Sequence, residues 1–216
     1  MNELVLDNLQ KESISLNEIN KENILEKVSD CDCLNNIDIN VLNNKDSTEK
    51  KIKEYKDDNG EIYRIGNELL PYNNYEINGY KYHTDEIGRI ASAEGNLHLK
   101  DREGRLPIKD SIETIGKGYE LPNDDRGHLI ADQFDGSNGL ENLVPQDAEI
   151  NRKDFNSFEN QLADEVKKGK EVYIKNEPIY EGKSRRPSEF AISYSVDGKE
   201  NIRIFPNGKE IKQWIK

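Results

Sequence analysis

Four consecutive residues in the middle of the chain, Asp125-Arg126-Gly127-His128, set an acid, a guanidinium, a glycine and an imidazole side by side. Each suits a part of phosphate chemistry. An imidazole has an unperturbed pKa of about 6.5, so His128 can take a proton from water near neutrality. The planar, paired donors of Arg126 match phosphate oxygens. Gly127 has no Cβ and would let the backbone approach a phosphate or a metal. Asp125 reads as structural, holding Arg126 or a backbone amide in place. Taken alone, the four residues fit a surface turn with a satisfied histidine equally well. The apolar run Leu129-Ile130-Ala131 reads as a buried strand able to hold His128 at the edge of a cleft.

After a Gly/Asn-rich turn (Gly136-Ser137-Asn138-Gly139) come Asn142-Leu143-Val144-Pro145-Gln146, then Asn151, then a helical stretch carrying Glu159. With the tetrad, this run resembles the DNA/RNA non-specific endonucleases of the ββα-metal class. In that family Asp-Arg-Gly-His is followed by Asn-x-x-Pro-Gln, a further Asn and then a Glu, and each position is filled here at the family spacing. The stretch from Asp125 to Ala131, with Arg186-Pro187-Ser188-Glu189-Phe190, is most similar to the nuclease effector domains that end bacterial polymorphic toxins.

The resemblance implies an α+β fold: a ββα-metal nuclease core on a mostly antiparallel sheet, with a long helix carrying the metal-site residues. It implies metal-dependent, sequence-non-specific hydrolysis of phosphodiester bonds in DNA and RNA. The ion would be Mg²⁺, with Mn²⁺ as the alternative, and Asn151 its protein ligand. His128 would be the general base and Arg126 a phosphate ligand, with Asp125, Asn142 and Gln146 in positioning roles. Eight residues of regular helix rise about 12 Å, so Asn151 and Glu159 cannot both lie close to one ion if both are helical. Either the helix begins after Asn151, or Glu159 acts at a distance, through a metal-bound water, and the catalytic role expected of Glu159 is the indirect one. One position departs from the pattern: well-known members carry an Arg four residues after the Glu, where this chain has Ala163. The cluster Lys183-Ser184-Arg185-Arg186 is the expected source of the missing phosphate contact, through Lys183, Arg185 and Arg186; the alternative is an ordinary basic loop.

A toxin effector further implies a cognate immunity or inhibitor protein over the His128 cleft. It also implies delivery into target cells by a non-classical route, from the cytoplasm where the protein is made. Two readings compete. One is a catalytically idle nucleic-acid-binding or toxin-neutralising module that keeps the fold. The other, an HNH-type zinc-supported homing nuclease, lacks its second histidine and paired Cys-x-x-Cys motifs.

The rest of the chain must position these residues. It is 34% charged with a mean hydropathy of -0.95, and no apolar run approaches the roughly 20 residues of a membrane span. Met1-Asn2-Glu3-Leu4-Val5-Leu6-Asp7 has neither the basic nor the apolar region of a secretory signal. The net charge of -12 is shared equally by residues 1–60 and 61–216, which excludes a histone-like binder; an enzyme that only visits its substrate needs a local basic cleft and a metal. Cys31 and Cys33 form a lone Cys-x-Cys, half of a zinc site at most.

Residues 1–58 read as an acidic, Asn-rich segment of short helices and linker, and residues 59–216 as the nuclease domain. Within the latter, Asn78-Gly79 marks a hairpin over residues 75–82, and residues 89–93 a further strand. Residues 99–118 read as an irregular loop. Phe155, Phe158, Leu162 and Val166 form one helical stripe ending near Gly169, and strands follow at 171–175, 189–194 and 201–205. The tyrosines of the hairpin region read as sheet packing, with stacking on bases as the alternative, and His83 and His98 as surface or sheet histidines.

Overall fold

The computed structural model describes residues 52–208; the expected N-terminal helices and the Cys31/Cys33 pair lie outside them. Strands β1 (Glu54–Lys56), β2 (Ile62–Ile65) and β3 (Glu68–Leu69) make a small antiparallel sheet. Strand β1 thus precedes the domain boundary expected at residues 58/59.

Two-residue turns set up the main sheet. Asn78 and Gly79, with φ of 55° and 76°, join β4 (Asn74–Ile77) to β5 (Tyr80–Thr84). This is the turn whose twist suits paired strands, and glycine adopts its positive φ without steric cost. β6 (Ile90–Asn96) extends this meander. β7 (Asp124–His128) and β8 (Leu143–Asp147) form a separate two-stranded ladder. β9 (Val172–Tyr180), β10 (Pro187–Val196) and β11 (Lys199–Pro206) complete a six-stranded sheet in the order β11-β10-β9-β6-β5-β4. Every pairing is antiparallel. Pro178 is tolerated inside β9 because β6 pairs with β9 only as far as Asn176, leaving the proline opposite Phe190 alone.

After β8 the chain makes a π-helical turn, Ile150–Phe155, and continues directly as α-helix over Asn156–Lys167. Strand, strand and helix form a ββα unit that holds His128, Asn151 and Glu159. The segment read as an irregular loop contains a short helix, α1 (Ile112–Gly116), so the longer helix is α2 (Asn156–Lys167); the Ser111 side chain caps α1 by accepting from the Thr114 amide at 3.2 Å.

The apolar run after the tetrad is not a strand. The tetrad itself is β7, and Leu129-Ile130-Ala131 is a buried bend. Asn142 explains it: its Nδ2 donates to the Ile130 carbonyl (2.8 Å) and its Oδ1 accepts the Ile130 amide (2.9 Å), taking the place of a ladder partner.

The main sheet packs one face against α2. Phe155 meets Phe190 edge-on at 5.1 Å and Phe205 at 4.7 Å, and Phe158 meets Tyr194 at 5.1 Å. The Phe155/Phe158/Leu162 stripe is buried as the sequence pattern requires. Tyr63, Tyr75 and Tyr82 stack in series, with centroids 4.8 and 5.3 Å apart, and His98 stacks on Tyr80. The tyrosine rings are core packing, and His98 is exposed.

Buried amides join the two-stranded ribbon to the sheet. Asn176 of β9 donates to the Leu129 carbonyl (3.0 Å). Asn207 donates to the Pro145 and Pro187 carbonyls (3.0 and 2.8 Å) and accepts the Asp147 amide (2.8 Å). Arg186 grips Asp124, the first residue of β7, with two bonds of 2.7 and 2.9 Å. Asn207→Ala removes hydrogen bonds to three backbone groups and is expected to cost at least about 2 kcal/mol, read as a lowered urea midpoint; an unchanged midpoint would show that the ribbon is held some other way.

Candidate active site

His128 ends β7 and is 6% exposed. Its Nε2 lies 2.8 Å from Asn138 Oδ1, and its Nδ1 has no hydrogen-bond partner among the described residues. Burial lowers its pKa below 6.5; the Asn138 bond opposes this, while Arg105 and Arg126 push further down. The ring is therefore neutral at pH 7, the state a general base needs.

Asn151 sits in the first turn of the π segment. Its Nδ2 donates to Asp125 Oδ2 at 3.0 Å. Asp125 also takes two bonds from Arg152, at 2.8 and 2.6 Å. Burial raises the Asp125 pKa, but the bonds from Arg152 and Asn151 outweigh it and hold the group ionised. A carboxylate can only accept, so the Asn151 amide must turn its nitrogen inward. Its oxygen is left without a hydrogen bond among the described residues. An open amide oxygen is a hard ligand, and the arrangement fits a divalent ion. Among the described residues no group of three His, Cys, Asp or Glu side chains is placed to hold an ion, so an ion at Asn151 would draw most of its shell from water and phosphate.

Glu159 lies in the first turn of α2, and burial raises its pKa to about 8, with Arg105 pulling modestly the other way. It has no hydrogen bond or ion pair among the described residues. The helix is continuous through Asn151 and Glu159, which leaves them about two turns apart.

Arg126 is exposed and bonds the Ile108 and Asp110 carbonyls through one nitrogen, at 3.3 and 3.2 Å. Gly127 has a different reason from the one expected. A Cβ there would lie 2.1 Å from Gln146 Oε1; the space belongs to the Gln146 side chain, not to a phosphate or metal. Gln146 is fully buried, and neither amide atom has a partner among the described residues. Asn142 holds the bend after β7, so it shapes the site from behind.

A family model for DNA/RNA non-specific endonucleases matches residues 71–198, more than half of the chain. The chain belongs to that family. Its relatives include the type VII secretion system protein EssD of Staphylococcus aureus strains USA300, NCTC 8325 / PS 47 and Newman, 39% identical over 136 residues. The match covers 60% of this chain but only 22% of those relatives' length. Among solved structures, one described as Sda1 nuclease with bound zinc ion has a TM-score of 0.38 at 23% identity, covering 41% of this chain and 40% of that one.

In this family member two of the three basic residues after β9, Arg185 and Arg186, make bonds within the fold. Arg186 spends its donors on Asp124, Pro187 and Asn207, and the Asp124 side chain is 1% exposed. Arg185 donates to the Ile87 carbonyl at 2.8 Å. Lys183 is exposed and touches none of the site residues. Ala163 is itself buried. Arg105, exposed on the loop before α1, has no bond of its own among the described residues, yet its charge acts on Asp125, His128 and Glu159 together. Only the folded chain reveals it, since it stands 23 positions before His128 with no local motif.

Arg105→Ala should lower the slope of log affinity against log salt by about one unit on duplex DNA. Arg186→Ala should instead lower the denaturation midpoint and leave the slope alone. The reverse pattern would return the phosphate contact to the later cluster.

Proposed function

We propose that this chain is a metal-dependent endonuclease that hydrolyses DNA and RNA backbones without reading sequence. The observation supporting this most directly is the pairing, on one ββα unit, of a neutral His128 with an Asn151 amide whose oxygen is open. A divalent ion bound there, Mg²⁺ or Mn²⁺, would supply Lewis-acid stabilisation of the charge that builds on the phosphate and leaving oxygens. An amide oxygen without thiolate or imidazole company suits those hard ions. His128 Nδ1 takes the proton from the attacking water. Arg126 and Arg105 bind the scissile or neighbouring phosphates and orient the backbone. Glu159, too far along the helix to share a ligand position with Asn151, faces Arg105 and orients water. Asp125 keeps the Asn151 amide turned the right way.

In the cell, the reading is a toxin effector exported by a non-classical pathway and restrained in its producer by an immunity protein that covers the His128 cleft. Its similarity to part of a type VII secretion system protein supports this. The described residues contain no helix long and apolar enough to cross a membrane.

Purified chain should cut plasmid and structured RNA into a continuous smear with Mg²⁺, and EDTA should stop it; discrete, reproducible fragments or EDTA-resistant cutting would contradict the reading. The rate should rise with pH to a plateau, with a midpoint below about 6.5, because the pKa of His128 is lowered and only the neutral ring accepts a proton. His128→Gly should lose about 10²–10⁴ in rate and regain part of it with added imidazole. Asn151→Ala should gain nothing from imidazole, and equal rescue of both would undo the assignment. Expressed alone in the cytoplasm, wild type should slow growth far more than Asn151→Ala; equal growth would remove the toxin reading.

A further inference from the structure

The Gly/Asn turn between β7 and β8, read in the sequence only as a connection, supplies the hydrogen bond that fixes His128. We infer that Asn138 is a positioning residue that holds His128 as the Nε2–H tautomer, and that Asp132, clamped by Lys100 and Arg102, in turn fixes Asn138. The inference rests on His128 being the general base.

The chain of logic runs from the carboxylate outward. Asp132 is 5% exposed, and takes Lys100 Nζ and one Arg102 nitrogen at 2.5 Å each. Burial pushes its pKa up, but Lys100, Arg102 and Asn138 together hold it near about 2, so it is ionised and only accepts. Asn138 must therefore present Nδ2 to Asp132, and does so at 3.3 Å. That leaves Oδ1 toward His128 Nε2, at 2.8 Å. An amide oxygen only accepts, so Nε2 carries the hydrogen. A neutral imidazole has one N–H, which leaves Nδ1 bare as the proton acceptor.

The turn cannot relax this arrangement easily. Asn142 Nδ2 donates to the Ser137 carbonyl at 2.8 Å, the Ser137 hydroxyl bonds the buried Glu141 carboxylate, and a Cβ at Gly139 would lie 2.3 Å from that carboxylate. The groups facing His128 are Arg105 from the preceding loop, Arg126 from β7, Asp132 from the 3-10 turn and Asn138. Lys100 and Arg102 belong to the same loop as Arg105, and both also bond the Gly104 carbonyl. One buried carboxylate thus anchors both the base and the loop that presents the phosphate-binding arginine.

The test uses the full chain. Ring ¹⁵N shifts of His128 in metal-free protein should show the Nε2–H form alone in wild type and a mixture of tautomers in Asn138→Ala. With Mg²⁺ and plasmid, Asn138→Ala should lose about 10–100-fold in kcat, as loss of a support for a functional imidazole commonly does, with KM changed less than about twofold. Asn138→Asp places a charge on Nε2–H and should raise the acidic midpoint of the pH–rate profile by about one unit or more. Both variants should keep wild-type circular dichroism. Wild-type protein with the hydrogen on Nδ1, or two folded variants with unmoved kcat and unmoved midpoint, would overturn the inference. If His128→Gly keeps full activity, it is the general-base reading that falls, while the tautomer result still reports on Asn138.

Discussion

A two-stranded ribbon is marginal in water on its own, and in this protein the ribbon β7–β8 carries His128. Everything functional depends on how it is held to the larger sheet. The answer is side-chain amides. Asn142 and Asn176 are fully buried and Asn207 nearly so, and between them they complete the backbone bonds of Leu129, Ile130, Pro145 and Asp147. Burying an amide costs free energy unless it is hydrogen-bonded, and most of these amide groups are. In exchange, the contacts are directional. An apolar contact would tolerate sliding of the ribbon by a fraction of an ångström; a set of bonds to named carbonyls does not.

The same constraint resolves the conflict between an acidic chain and an anionic substrate. With a net charge of -12, uncommitted carboxylates around the site would repel phosphate. Four of the nearby aspartates are instead paired: Asp110 with Arg64, Asp124 with Arg186, Asp125 with Arg152, and Asp132 with Lys100 and Arg102. Among the described residues, Arg105 and most of the Arg126 guanidinium remain uncommitted, and both charges act on His128. A cleft needs only a local excess of positive charge to draw in a polyanion, and the pairing provides it without making the whole molecule basic.

How much of this could be read from the chain follows from the range of each interaction. Asn78-Gly79 and the Phe155/Phe158/Leu162 stripe declare themselves over a few residues, and the hairpin and helix they predict are present. The spacing from Asp125 to Glu159 carries the ββα unit for the same reason. Asn138, Asp132 and Arg105 were missed because their partners are set by folding: Lys100 meets Asp132 across 32 positions. Arg186 was misread because a basic cluster looks the same whether it faces solvent or grips a buried Asp124. The bend at Leu129–Ala131 was taken for a strand because nothing local announces that Asn142, twelve residues on, completes its backbone.

The π turn at Ile150–Phe155 has a consequence for length. Side chains on an α-helix advance by about 100° per residue, so the number of residues between two points sets their relative angle. Within this turn the amide of Asn156 reaches back to the Asn151 carbonyl, five positions away, adding a residue to the turn. Helical phase therefore couples two tasks: Asn151 looks toward Asp125, while Phe158 and Leu162 look into the sheet. Deleting one residue here would keep the helix but rotate one set out of alignment with the other. The interval of eight from Asn151 to Glu159 is thus a packing dimension as much as a chemical one.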